Sequence, residues 1–469
     1  MKSTTRRDPG TLGKMSSALA EYGVSSSFGS LPAEVREQTK MIVFDQLSCG
    51  YVGSELPAAK VVTRYVESLG GNPESTVLAD TPTRAPAMLA ALVNGTCGHA
   101  DEFDSVHSTS DFIGTGHPAA VIVHACMAVA ERQSSSGDEL INAIALGYDV
   151  GSRAVSVTGG LARLENKFGI YGGSLHSVGA AFGASRLLGL DAQRMLYAAA
   201  LGLNHGLNGY AFFAERQHMS KGLTEGHSAA GGVGGAIMAS LGMEAADDVF
   251  EGPGGILDAW GEDGREVHLT RGLGEDFSVM GANFKFYSAG YPIHSSVEAA
   301  LDLKQRYGFG LSDIARIRVR LPRFPASVVD DRSMPSINLQ LMVACALVAG
   351  ELGFDQAHSS VLHADPDVLA LKSKIDLYGD PAFSPERPRG CSMLVTLNDG
   401  TVLESEVDHP KGHRFREPRP DWNDLWRKWS GLLGTRIGEA RSGQFFDACR
   451  SLEAIDDVSE LTGILLAPR

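Results

Sequence analysis

Residues 177–203, SVGAAFGASRLLGLDAQRMLYAAALGL, decide the architecture. Ser177–Leu188 reads as one helix stopped by Gly189. Asp191 then caps a second helix, Ala192–Leu203, because its carboxylate can accept the unpaired N–H groups of a first turn. Gly179, Ala180, Ala181, Gly183 and Ala184 leave little side-chain bulk along the first helix, so its neighbours must pack close to its backbone. That is the economy of a large helical bundle.

Working outward, the same character runs from about Leu31 to Leu257. Leu31–Leu47 opens with Pro and acidic residues and then turns apolar, a helix start. Helices are expected at Pro118–Arg132 and Glu139–Val155, with Gly137 as a stop and Asp138 as the next cap. The run AAGGVGGA (Ala229–Ala236) follows KGLTEGHS, which has no strand pattern, so a tightly packed small-residue helix explains it better than a dinucleotide-binding turn. Near Gly272 the pattern changes. Ala315–Leu321 alternates Ile317, Val319 and Leu321 with Arg316, Arg318 and Arg320, a half-buried strand. Ser392–Leu397 and Thr401–Val407 flank Asn398-Asp399-Gly400, a hairpin. Ser296–Tyr307 and Leu339–Leu352 read as helices, as does the tail, Asp421–Ala467. The expected fold is mainly α: a large all-helical domain built from both chain ends (1–271 and 411–469) and a smaller α+β unit (272–410).

Composition excludes several functions. The 469 residues carry 43% hydrophobic and 21% charged side chains, and a formal net charge of −15 gives neither nucleic acid nor an anionic membrane a basic footprint. No segment reaches the roughly 18 uninterrupted apolar residues of a membrane span. The polar start, MKSTTRRDPG, leads into no signal-peptide core, so a cytoplasmic protein is expected. The six cysteines (Cys49, Cys97, Cys126, Cys345, Cys391, Cys449) show no Cys-x-x-Cys spacing, as expected of buried, reduced thiols without metal or disulfide framework. P-loop, G-x-S-x-G and HExxH motifs are absent from the sequence.

Chemistry concentrates in Asn94–Pro118, NGTCGHADEFDSVHSTSDFIGTGHP, where His99, His107 and His117 stand among Asp101, Glu102, Asp104 and Asp111. Such groups, buried together, perturb one another's pKa values, as acid–base chemistry requires. His117 precedes Pro118 at a helix start, where the positive helix end disfavours imidazolium. Lys221 lies among small residues (HMSKGLTEGHSAAGG). Lys285 lies among aromatics (NFKFYSAGYPIH), where it is either a snorkelling surface side chain or an ammonium at a pocket rim. His176 begins a helix, where anion contact is natural. Together these groups suit a small anionic polycarboxylate. Removing a proton next to a carboxylate builds charge that ammonium groups stabilise. The resulting intermediate can lose water or be reprotonated on the opposite face, and it can also arise by loss of CO2.

At these residues the chain resembles the MmgE/PrpD family, which includes 2-methylcitrate dehydratase, cis-aconitate decarboxylase and iminodisuccinate epimerase. The matching pieces include LPAEVREQTKMIVFDQLSCGYVGS, NGTCGHADEFDSVH with GHPAAVIVHACMAVAE, INAIALGYDVGSR, SKGLTEGHSAAGG, KFYSAGYPIHSSVEAAL and HPKGH, in family order along nearly the whole chain. The resemblance implies a helical domain with the α+β unit as a lid, a homodimer, and catalysis without metal or organic cofactor. It implies His117 as general acid/base, and Lys221 and Lys285 as carboxylate ligands or proton donors. Glu102 and Asp104 would orient or share protons, and Asp101, His107 and His176 would bind substrate. The chain departs from the family at Asp104-Ser105-Val106 and at Leu341, where decarboxylase-type members carry Tyr. These departures weigh against decarboxylation. The expected activity is a cofactor-independent hydro-lyase acting on a hydroxy-polycarboxylate, with epimerisation of a dicarboxylate as the alternative and decarboxylation less favoured.

Overall fold

The computed structural model describes residues 13–79, 83–384 and 386–466. The polar start and Ala467, the end assigned to the helical tail, lie outside them.

Helices dominate. Small-residue packing sets the centre of the larger helical part: Ser220–Ser240 lies against Ala192–Gly206, Ala87–Gly98 and His176–Leu187. The contact is close enough that a Cβ on Gly226 would sit 2.3 Å from the Leu92 carbonyl oxygen, and one on Gly235 would sit 2.4 Å from that of Ala198. The run Ala229–Ala236 is therefore a packing surface on a helix, as its sequence suggested. Asp191 caps the Ala192–Gly206 helix through the Arg194 N–H. The turn at 134–136 differs from expectation. Ser134, at φ 50°, takes the left-handed position ending Pro118–Gln133. Ser136, in a capping box with Glu139, starts Gly137–Ser156, so Gly137 is the first helical residue instead of a stop.

Ile314–Pro322 is central in a four-stranded sheet, parallel to Ile375–Asp380 on one side and antiparallel to Cys391–Leu397 on the other. The hairpin partner Val402–Val407 forms the edge. The helix His294–Tyr307 covers this sheet. The chain then returns to its N-terminal half. Trp422–Ile437 packs on Ala33–Gly53, with Trp429 Nε1 donating to Asp45 Oδ1 at 2.8 Å. Lys428, from the same helix, reaches Asp45 at 2.7 Å and the Phe103 carbonyl oxygen at 2.9 Å. The tail thus braces the acidic segment. All six cysteines are buried and unpaired. Among the described residues, no helix is long and apolar enough to cross a membrane.

Candidate functional site

The acidic segment is held by a small sheet of its own. Val106–Ser108 pairs with Gly114–Gly116 and, on its other edge, with Ala282–Asn283. The first pairing folds residues 99–117 back so that His117, at the start of Pro118–Gln133, faces Asp104. The second draws in the segment that carries Lys285. Lys221 arrives from the first turn of Ser220–Ser240.

Asp104 lies at the centre, fully buried, with Oδ1 2.9 Å from His99 Nδ1 and Oδ2 2.8 Å from His117 Nδ1. The two imidazoles lie side by side, centroids 4.0 Å apart. A carboxylate accepting at Nδ1 fixes the proton there and leaves Nε2 as the lone-pair nitrogen. For His99 that nitrogen faces the Lys221 ammonium at 2.6 Å. For His117 it has no hydrogen-bond partner among the described residues, and the residue lines the main cavity. Glu102 is bridged by two ammonium groups: Lys221 donates to Oε1, and Lys285 to Oε2 at 2.8 Å.

Electrostatics follow from this geometry. Burial pushes the His117 imidazole down to about 3, against the opposing pull of Asp104, so it is a neutral base at ordinary pH. Burial, more than the helix end, keeps it neutral. Burial would raise Asp104, but the imidazoles of His117 and His99 and the Lys285 ammonium outweigh it and hold the group well below the usual carboxylate range. Glu102 is held ionised against burial by Lys221 and Lys285. Burial disfavours the Lys285 ammonium, but Glu102 and Asp104 more than compensate and raise it. Lys285 is thus neither a snorkelling residue nor a rim ammonium. Its side chain is 0% exposed, behind Glu102. Lys221, 7% exposed, is the lysine on the cavity wall.

The other expected residues separate. His107 lines the cavity, with Nδ1 2.7 Å from Thr115 Oγ1. His176 is buried off the cavity, its Nε2 on the Thr115 carbonyl oxygen at 2.8 Å. Asp101 points elsewhere, receiving the Ser288 hydroxyl at 2.5 Å and lying 3.3 Å from His358 Nε2. Leu341 is buried in the helix Leu339–Ala349 and does not line the cavity.

Several wall residues had no signature in the sequence. Tyr171 donates to Glu225, whose carboxyl burial raises to about 7 and whose Oε2 has no hydrogen-bond partner among the described residues. Glu165, hydrogen-bonded to Tyr210, is pushed up by burial to about 8. Arg389 lies with its guanidinium over the Tyr291 ring, 5.6 Å from the centroid. His99 was visible as a histidine of the acidic segment, but only its contacts give it a place. His99, Asp104 and His117, and His99, Glu102 and His218, are spaced closely enough to hold a cation. In both groups the carboxylates already have lysine ammonium groups beside them, with Lys285 3.9 Å from Asp104.

A buried carboxylate orienting an imidazole, beside an ammonium on the wall of a deep cavity, has the parts of a proton-transfer site. Comparison with known proteins agrees with this class. Residues 17–267 match the MmgE/PrpD N-terminal domain and residues 287–453 the MmgE/PrpD C-terminal domain. The chain belongs to the MmgE/PrpD family. It is 26% identical to the cis-aconitate decarboxylase-like protein oryM of Aspergillus oryzae, over 97% of each chain. It is 25% identical to the cis-aconitate decarboxylase of Aspergillus terreus, over 97% of this chain and 96% of that one. With the 2-methylcitrate dehydratase of Escherichia coli it shares 25% identity over 80% of this chain and 81% of that one.

Proposed function

We propose that the protein is a lyase that eliminates water from a hydroxy-polycarboxylate. The observation that carries this reading is His117: a neutral imidazole on the cavity wall, anchored through Nδ1 to Asp104, with Nε2 unengaged. Nε2 takes the proton from the carbon next to a substrate carboxylate, and the imidazolium so formed is stabilised by Asp104. Negative charge developing on that carboxylate is met by the Lys221 ammonium. The C–O bond then breaks, the double bond forms, and the departing hydroxyl takes a proton from Lys221. Passage of the His117 proton through water back to Lys221 completes the cycle. Glu102 and Lys285 hold Lys221 in place. His107 borders the substrate, whereas His176 and Asp101 hold the surrounding segments. The same proposal makes residues 272–410 a lid and the working unit a homodimer, which sedimentation of the purified protein tests.

Decarboxylation is the second reading, favoured by the relatives of that name that match nearly the whole chain. There, loss of CO2 leaves the carbanion, and Lys221 supplies its proton. Proton NMR in D2O with citrate-, malate-, tartrate- and aspartate-like acids and cis-aconitate separates the outcomes. A new olefin formed with loss of hydroxyl supports dehydration. An olefin formed with CO2 supports decarboxylation, and deuterium wash-in at a stereocentre without elimination supports epimerisation. His117→Ala should lower turnover by about 10²–10⁴-fold; unchanged turnover would remove His117 from the mechanism.

A further inference from the structure

The cavity is larger and more apolar than a small polycarboxylate needs. Its volume is about 430 Å³, within the range of pockets that enclose drug-sized ligands. Glu102, His117 and Lys221 form one part of its wall. Phe213, Phe324, Val328, Val329, Ile337 and Phe383 form another. The residues around 324–337 and Phe383 belong to segments flanking the four-stranded sheet, and Phe213 reaches the same wall from the short turn Ala211–Ala214. A citrate-sized acid seated at His117 would leave these groups facing water, and apolar surface gathered in a cavity marks a ligand-contacting region.

The same cavity holds a cation that the proton-transfer cluster does not use. Arg389 lines it, over the Tyr291 ring, with Glu165 of the same wall as the carboxylate that acts on its charge. The guanidinium lies beside the strand leading into His117, where a Cβ on Gly114 would be 3.7 Å from Nη2. Lys221, by contrast, is already engaged with Glu102 and His99. A planar guanidinium that stacks on Tyr291 is suited to receive a substrate carboxylate in two parallel hydrogen bonds.

We propose that the substrate is a polycarboxylate bearing a long apolar substituent, with a carboxylate on Arg389 and the substituent against Phe213, Phe324, Val328 and Ile337. This deepens the lyase reading and rests on it for the reacting headgroup. The apolar wall makes selectivity a matter of chain length. Burying each added methylene strengthens binding roughly fourfold, the fold-change that corresponds to ~0.8 kcal/mol per CH₂.

Two probe series test the substrate arm and the chemistry separately. Methyl-, butyl- and hexylsuccinate carry no hydroxyl to lose, so calorimetric titration reads binding alone. The dissociation constant should fall about fourfold per methylene. Val328→Trp should flatten that dependence, and Arg389→Gln should weaken all three ligands by a common factor of about 10 or more while keeping the slope. A dissociation constant indifferent to chain length overturns the proposal, whatever the turnover result. The second series is methyl-, butyl- and hexyl-substituted citrate, followed by proton NMR. A rising kcat/KM along it supports the proposal. Turnover of the methyl compound with a flat or falling series overturns it while leaving the lyase reading intact. Graded succinate binding with no turnover of any citrate keeps the apolar arm and overturns the lyase reading.

Discussion

One carboxylate, Asp104, holds two imidazoles at once: Oδ1 lies 2.9 Å from His99 Nδ1 and Oδ2 2.8 Å from His117 Nδ1. With both acceptor oxygens committed and the group fully buried, Asp104 sets the tautomer of each ring and is itself poorly placed to touch substrate. Asp104→Asn keeps the shape but presents an amide that donates where an acceptor is required. His117 then loses the contact that keeps Nε2 unprotonated. We expect kcat to fall by about 10²–10⁴-fold with a smaller change in KM. Steady-state kinetics of the variant checks this, and a change confined to KM would contradict it.

Glu165 gives the cavity a pH dependence. Burial raises its pKa to about 8, so below that pH the wall carries a neutral carboxyl and above it an anion. An anionic substrate is repelled only by the ionised form. KM should therefore rise as pH increases through about 8, and Glu165→Gln, neutral throughout, should lack that rise. A KM-against-pH profile of the two proteins measures it.

Lys285 is a structural cation as much as a functional one. It is fully buried, and Glu102 and Asp104 are its carboxylate neighbours. Lys285→Met removes the charge while leaving the carboxylates in place. Breaking a buried pair from one side costs about 3–5 kcal/mol. Urea unfolding of the variant should show a loss of that size; stability within 1 kcal/mol of the parent would show that Glu102 does not depend on Lys285.

Gly226 tests the close approach of the helices. Its added Cβ would meet the Leu92 carbonyl oxygen at 2.3 Å, a backbone atom that cannot rotate away. Gly226→Ala should destabilise by about 1–3 kcal/mol, the usual cost of overpacking, despite the better helix propensity of alanine. Because this helix carries Lys221 on its first turn, activity should fall as well. Thermal denaturation and turnover, measured together, check both effects.

Local signals were legible where short-range chemistry decides structure. Asp191 before Ala192, Pro118 after His117, the alternation through Ile317, Val319 and Leu321, and the Asn398-Asp399-Gly400 turn each specify an element within a few residues. The acidic segment was visible because Glu102, Asp104 and His117 lie close in the chain. The stop at 134–136 was not, because Ser134 takes the left-handed conformation although a glycine stands three residues later. Lys285 was misplaced for a related reason: aromatic neighbours in sequence do not reveal that Glu102, 183 positions away, accepts its ammonium.

The sequence by itself determined the mainly helical character, the strand pattern after residue 272, and the residue types available for proton transfer. It did so because capping, periodicity and small-residue runs act over a few residues. Tertiary structure alone decided which groups share the site. Lys221 meets Glu102 across 119 residues, and the tail braces Phe103 through Lys428. Glu165 and Arg389 owe their place to cavity walls drawn from distant segments, and Glu225 to its contact with Tyr171. Burial then sets their charge states, and burial is a property of the packed chain that no local run of residues encodes.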